Sequence, residues 1–129
     1  MFMLDTNTVS YFFKQIPAIV NKLTVVGPEK ICISSVTAAE LLYGVEKRQN
    51  KALRDGVTLF LDTVSVYPWD LSVATTYGKL RSNMEKNGCV MGNLDLMIAA
   101  HALDLRYILV TNDKAFSMVP GLNIENWLS

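Results

Sequence analysis

Four acidic residues stand out in this sequence by where they fall: Asp5, Glu40, Asp95 and Asp113. Each lies where the residue pattern changes from strand-like to helix-like or loop-like. Carboxylates from four separate stretches, gathered into one cleft, would repel one another. Either some stay protonated or a cation sits between them. Oxygen donors alone favour a hard ion, Mg²⁺ or Mn²⁺. The chain holds one histidine, His101, and two cysteines, Cys32 and Cys89, with no C-x-x-C pair. That scarcity argues against a zinc site and against a Cys-His nucleophilic pair. Singly, the acids have ordinary explanations, because Asp and Glu in a first helical turn oppose the macrodipole. Asp5 is harder to explain that way. It follows Phe2-Met3-Leu4 directly, where a carboxylate is costly without a partner.

The elements that must position these acids can be read from periodicity. Residues 1–5 read as a buried strand ending in Asp5, followed by a turn at Thr6-Asn7-Thr8 and a helix from Val9 to Gln15. A short helix is expected over 18–26, broken by Gly27-Pro28, and a strand over Lys30 to Val36. Ser35 or Thr37 would cap a third helix, with Glu40 in its first turn. A fourth helix carries Leu53, Val57, Phe60 and Leu61. Ser65-Val66-Tyr67 reads as a third strand, and Asp70 caps a fifth helix that ends near Gly88. A sixth helix carries Asp95 in its first turn and Leu94, Met97, Ile98, His101, Ala102 and Leu105 along its apolar stripe. Tyr107 to Thr111 is a fourth strand. Asn112 to Gly121 is a loop or short helix, and Leu122 to Trp127 offers a last short strand. Strands alternating with helices imply an α/β domain, a three-layer α/β/α sandwich around a central, mostly parallel sheet of four to five strands. In such a sheet, ligand crevices form at the carboxyl ends of the strands. Asp5 and Asp113 fall at that edge, and the helices carrying Glu40 and Asp95 should start there.

The 129 residues suit a single domain, 1–129, and at 50% hydrophobic and 19% charged the chain can bury a real core. Twelve bases balance twelve acids, so bulk charge does not draw this chain to nucleic acid. Between positions 47 and 86, however, Lys47, Arg48, Lys51, Arg54, Lys79, Arg81 and Lys86 outnumber the acids. That excess reads first as a solvated helical surface and second as a phosphate-contacting patch. No apolar run approaches the roughly 18–20 residues of a membrane span. The segment Met1-Phe2-Met3-Leu4-Asp5 lacks the basic start of a signal peptide, so the expected compartment is the cytoplasm.

The sequence resembles the PIN-domain nucleases, and most closely the VapC-type toxins of bacterial type II toxin–antitoxin pairs. Four blocks carry the resemblance in the family's order. They are Met3-Leu4-Asp5-Thr6-Asn7, the run from Ile33 to Leu41 (ISSVTAAEL), the run from Gly92 to Ala102 (GNLDLMIAAHA), and Val110-Thr111-Asn112-Asp113. The closing Pro120-Gly121-Leu122-Asn123-Ile124-Glu125-Asn126-Trp127 fits as well. The resemblance implies a metal-dependent endoribonuclease with Mg²⁺, or Mn²⁺, at Asp5, Asp95 and Asp113. Glu40 would orient the attacking water, and Thr6, Asn7 and Thr111 would support the acids by hydrogen bonds. It also implies an RNA substrate, with the anticodon region of tRNA (initiator tRNA included) as the best match. It implies a homodimer, and a VapB-type antitoxin bound in a hetero-oligomer. An empty cleft of carboxylates invites an Arg from that antitoxin. The rest of the antitoxin segment is expected in an apolar groove near the helices that carry Tyr11, Phe12 and Leu42.

Three rival readings fit less well. A haloacid-dehalogenase-type phosphatase needs a second Asp where this chain has Asn7. A receiver-like phosphoryl acceptor needs an adjacent pair of acids after the first strand. A silent PIN-like scaffold would have no reason to keep all four acids. His101 is expected to be a hydrogen-bonded core residue rather than a general base. Trp69 and Trp127 read as packing residues, and Cys32 reads as a small buried hydrophobe.

Overall fold

The computed structural model describes residues 1–128. Five strands, β1 (Phe2–Leu4), β2 (Ile31–Ser34), β3 (Ser65–Tyr67), β4 (Ile108–Val110) and β5 (Ile124–Glu125), form one sheet in the order β3-β2-β1-β4-β5. Every pairing is parallel. The helices are α1 (Thr6–Phe13), α2 (Pro17–Val26), α3 (Ser35–Arg48), α4 (Lys51–Thr63), α5 (Leu71–Lys86) and α6 (Asn93–Leu105). From β1 the chain builds outward to β2 and β3, then returns to the other side of β1 for β4 and β5. The order therefore reverses between β1 and β4, where an open α/β sheet leaves a crevice at its carboxyl edge.

Side-chain alternation along the strands assigns the two helical layers. Met3, Cys32 and Leu109 pack with Val73, Leu80, Met84, Ile98 and Ala102 of α5 and α6. Leu4, Ile31, Ile33 and Val110 pack with Val9, Ile19, Leu41, Val57 and Phe60 of α1 to α4. The sheet is thus covered on both faces, which is why its strands read as near-continuous apolar runs. Each fully buried Leu or Ile contributes about 1.5–3 kcal/mol by leaving water. Burial also pushes the Cys32 thiol up to about 12, which makes it an inert packing residue.

The three-layer architecture agrees with the sequence expectation, and β3 and the Asp70 cap of α5 fall where expected. The starts of two helices differ. Helix α1 begins at Thr6, with no separate turn at residues 6–8, because the Asp5 carboxylate itself caps it by accepting from the Thr8 N–H at 2.8 Å. Helix α3 is capped by Ser34, whose Oγ accepts from the Val36 N–H at 3.1 Å. Neither Ser35 nor Thr37 is the cap, and Glu40 lies in the second turn. Strand β5 is only two residues long, well short of the expected 122–127. Among the described residues, no helix is long and apolar enough to cross a membrane.

The basic stretch from 47 to 86 does not form one patch. Lys51 pairs with Asp55 at 2.9 Å, Arg81 with Glu85 at 3.1 Å and Arg54 with Glu46 at 3.8 Å, all exposed. Its bases are divided between α3–α4 on one side of the sheet and α5 on the other.

Candidate active site

The strand register lays out the floor of the crevice. Met3 pairs with Cys32, and Leu4 with Val110. Continued to the next positions, this places Ser34, Asp5 and Thr111 in one row across the carboxyl edge. Asp5 is only 3% exposed. Its Oδ1 is held by the Thr8 N–H, while Oδ2 has no hydrogen-bond partner among the described residues. Among the described residues no fully buried side-chain oxygen is left unpaired, so Oδ2 is the Asp5 oxygen that reaches the surface of the crevice.

Asp113 repeats this arrangement. It follows β4 and caps a short 3₁₀ turn at Lys114–Met118, its Oδ1 accepting from the Ala115 N–H at 2.9 Å. Its own N–H is held at 3.0 Å by Oγ1 of Thr111, which is buried. Glu40 is fixed from the other side. Thr6 Oγ1 donates to Glu40 Oε1 at 2.7 Å and lies 3.3 Å from Oγ1 of the buried Thr37. In each of these three acids one oxygen is pinned by the protein and the other has no partner among the described residues.

Asp95 is held differently. It sits in the first turn of α6, half-buried, with no hydrogen-bond partner among the described residues. Its pKa is raised above the usual carboxylate value, first by burial and then by the charges of Asp113, Asp5 and Glu40. All four acids are therefore close enough to feel one another at Asp95, although they come from four segments.

The donor set can be tested against a metal ion. Among the described residues, no three acidic, His or Cys side chains close into a tight coordination cage. Asp5, Glu40 and Asp113 each leave one carboxylate oxygen without a hydrogen-bond partner among the described residues, and all of these donors are oxygen. Zinc in a structural site would need a closed tetrahedral shell. Mg²⁺ keeps several waters and takes one or two carboxylates directly, which suits an open ring of oxygens whose like charges need a counter-ion. The residues present therefore fit a hard, hydrated divalent cation.

The other sequence candidates sort clearly. Thr6 and Thr111 are tied to the acids. Asn7 is exposed on the first turn of α1 and makes no side-chain hydrogen bond among the described residues. His101 is 1% exposed, with Nδ1 2.7 Å from Ser34 Oγ. That hydroxyl already accepts from Val36, so its proton suits a neutral ring. Burial lowers the His101 pKa, and the carboxylates whose charges reach the ring are Asp70 and Asp104 rather than the crevice acids. Trp69 donates from Nε1 to the Met97 carbonyl at 2.9 Å, and Trp127 packs on Phe2. The residue missed in the sequence is Thr37. Its place three positions before Glu40 was the available signal, since that spacing puts both on one helical face.

Residues 2–122 match the PIN domain family model. The chain belongs to the PIN-domain family. Within that family its relatives are VapC ribonucleases. It is 40% identical over 131 residues to a tRNA(fMet)-specific endonuclease VapC of Shigella flexneri, covering 98% of this chain and 97% of the relative. It is 37% identical to ribonuclease VapC2 of Rickettsia felis, covering 98% of each chain. The fold superposes on the DNA-bound VapBC structure from Salmonella typhimurium with a TM-score of 0.91 at 35% identity, covering 98% of this PIN domain and 97% of that chain. The four acids of this PIN domain thus sit at the switch point of a fold shared with VapC ribonucleases over nearly its whole length.

Proposed function

We propose that this VapC-type chain is a divalent-metal-dependent endoribonuclease toxin of the cytoplasm that cuts tRNA, with the anticodon region of initiator tRNA as the preferred target. The observation that carries this reading is the half-pinned set of carboxylates. Asp5, Glu40 and Asp113 each spend one oxygen on the protein and leave the other without a partner among the described residues, and all three lie near enough to Asp95 for their charges to raise its pKa. Relatives named for tRNA(fMet) at 35–40% identity support the substrate.

Asp5, Asp95 and Asp113 would hold the ion, which when bound neutralises phosphodiester charge and lowers the pKa of a nearby water for attack. Thr6 holds Glu40 so that its second oxygen can accept a proton from the attacking water. Thr111 sets the backbone of Asp113, and the Asp5 cap prevents that carboxylate from rotating away. The row of Ser34, Asp5 and Thr111 keeps the crevice floor rigid while RNA binds. The test is cleavage of initiator tRNA by the purified chain in Mg²⁺, in Mn²⁺ and in EDTA, beside Asp5→Asn. Cleavage confined to the metal-containing wild type is expected. Equal cleavage by Asp5→Asn, or in EDTA, overturns the proposal.

Restraint by an antitoxin follows from the same chemistry. Solved structures similar to this chain include VapBC complexes. An Arg from a VapB-type partner would satisfy the open oxygens of Asp5, Asp95 and Asp113 with a bidentate fork. The rest of the segment would lie in an apolar hollow of about 220 Å³ lined by Phe12, Val20, Leu23, Phe60 and Val64. Phe12 of α1 lines that hollow. Tyr11 instead turns toward Asn112, and Leu42 is not part of the lining. The exposed Leu42, Tyr43 and Leu59 favour a homodimer, which light scattering at micromolar concentration would test. A monomer there removes the dimer.

A further inference from the structure

A groove of about 350 Å³ opens beside the acids, between α1 and α3, with α4 as its far wall. Thr6 and Glu40 line its upper end and also belong to the acidic crevice, so the two are continuous. At the other end stand Lys14, just after α1, and Arg48, the last residue of α3. Both are exposed, and neither has an acidic partner among the described residues, unlike Lys51, Arg54 and Arg81. Thr6 to Lys14 and Glu40 to Arg48 are each eight residues on a helix, or about 12 Å. The two cations therefore sit at matching depth below the reaction centre. Asn50 caps α4 with its carbonyl oxygen, accepting from the Leu53 N–H at 3.0 Å, which leaves its NH₂ available in the groove.

We infer that this groove carries the RNA strand away from the cut. Lys14 and Arg48 would contact backbone phosphates next to the scissile one, and Asn50 would offer hydrogen bonds to sugar or base. The inference rests on the ribonuclease reading above and adds a strand path to it. The occupant follows from charge and continuity. The groove starts at the acid-lined centre, where a bound cation would hold one phosphate, and ends in two cations with no acidic partner among the described residues, which suit the next. Two cations eight residues from the site place substrate and contribute little to bond breaking. Their loss should appear in KM and in salt dependence more than in kcat.

Gly44 supplies an independent handle. It lines the groove midway along α3, and a Cβ added there meets nothing within 4 Å. A large side chain at this position would fill the groove without pressing on the core.

The experiment measures binding of fluorescein-labelled initiator tRNA to the uncleaving Asp5→Asn chain across a salt series, and cleavage kinetics in the otherwise wild-type chain. Lys14→Ala and Arg48→Ala should each reduce the slope of log affinity against log salt by about 0.7, the value for one phosphate contact on a single strand. Each should raise KM about tenfold, with a smaller change in kcat. Lys14→Arg and Arg48→Lys should restore both, and Lys86→Ala on α5 should change neither. Gly44→Phe should raise KM while its melting temperature stays near that of wild type. If the wild type cuts tRNA in Mg²⁺ and both alanine variants keep its slope and KM within twofold, the strand path is wrong. The same holds if they keep tRNA affinity but lose binding to a VapB-type partner, because the groove would then be a peptide site. A wild type that cuts no tRNA in either metal would instead condemn the ribonuclease reading.

Discussion

Ser34 and Asp5 end neighbouring strands, lie level across the sheet, and each caps the helix that follows. Ser34 Oγ accepts from the Val36 N–H and Asp5 Oδ1 from the Thr8 N–H. They differ in what happens to the rest of the side chain. The Ser34 hydroxyl is also hydrogen-bonded to buried His101 at 2.7 Å, so both of its partners are fixed protein groups. The second oxygen of Asp5 is left open toward three other carboxylates. The same local task, a helix cap at a strand end, leaves a closed polar pair in one case and an open donor in the other. A buried polar group with every bond satisfied specifies structure. One that keeps a bonding position facing a crevice is available for chemistry.

Substitutions at the two caps should therefore have opposite readouts. Asp5→Asn should lower tRNA cleavage by on the order of a thousandfold, beyond the roughly ten- to hundredfold typical of residues that only orient a ligand. Its stability should hardly change, because Asn caps a helix as well as Asp does, whereas Asp5→Ala should lose about 1 kcal/mol. Chemical denaturation beside single-turnover cleavage checks both halves. A large stability loss in Asp5→Asn would make Asp5 structural after all. Thr6→Val removes the 2.7 Å hydrogen bond to Glu40 and should reduce kcat by about ten- to hundredfold with the fold intact. On the closed side, Ser34→Ala removes the α3 cap and strands the His101 ring. It should cost about 2–3 kcal/mol of stability while the folded protein keeps most of its cleavage rate.

The pH dependence of stability gives the smallest and most discriminating contrast, because the two sites carry opposite signs. Asp95 binds its proton more tightly in the folded chain than the ordinary value of 3.8 would give, through burial and the three neighbouring acids. The metal-free protein should therefore lose stability as pH rises through the window above 3.8. Asp95→Asn should remove that loss and melt at higher temperature near neutral pH. The His101 pKa is lowered from 6.5 by burial, so the unfolded chain takes up a proton that the native ring refuses. Its contribution should fall away as pH drops below about 6.5. Melting curves in EDTA from about pH 4 to pH 7, on wild type, Asp95→Asn and His101→Gln, separate the two contributions.

Much of this was legible in the sequence, because it rests on local pattern. Apolar runs interrupted by helical periodicity implied a covered parallel sheet, and the four acids fell at its carboxyl edge. What escaped was tertiary or ambiguous. Residues 34, 35 and 37 are all hydroxyl-bearing, so propensity could not choose the cap, and the choice of Ser34 puts Glu40 one to three residues deeper in the helix, in its second turn. That Asp5 caps α1 was not readable, since nothing local distinguishes an acid that caps a helix from one whose two oxygens are both free. The excess of bases over 47–86 divided across two faces, and only packing reveals that Arg48 shares a groove with Lys14, which lies far outside that stretch. Thr37 gained its place only through contact with Thr6.

Calorimetric titration of Mn²⁺ into the metal-free chain decides whether the open oxygens of the four acids form a divalent-cation site. Wild type should bind the ion and melt at higher temperature with it, while Asp5→Asn and Asp95→Asn each weaken binding at least about tenfold. Unchanged Mn²⁺ affinity in both variants would mean that these acids do not hold the ion.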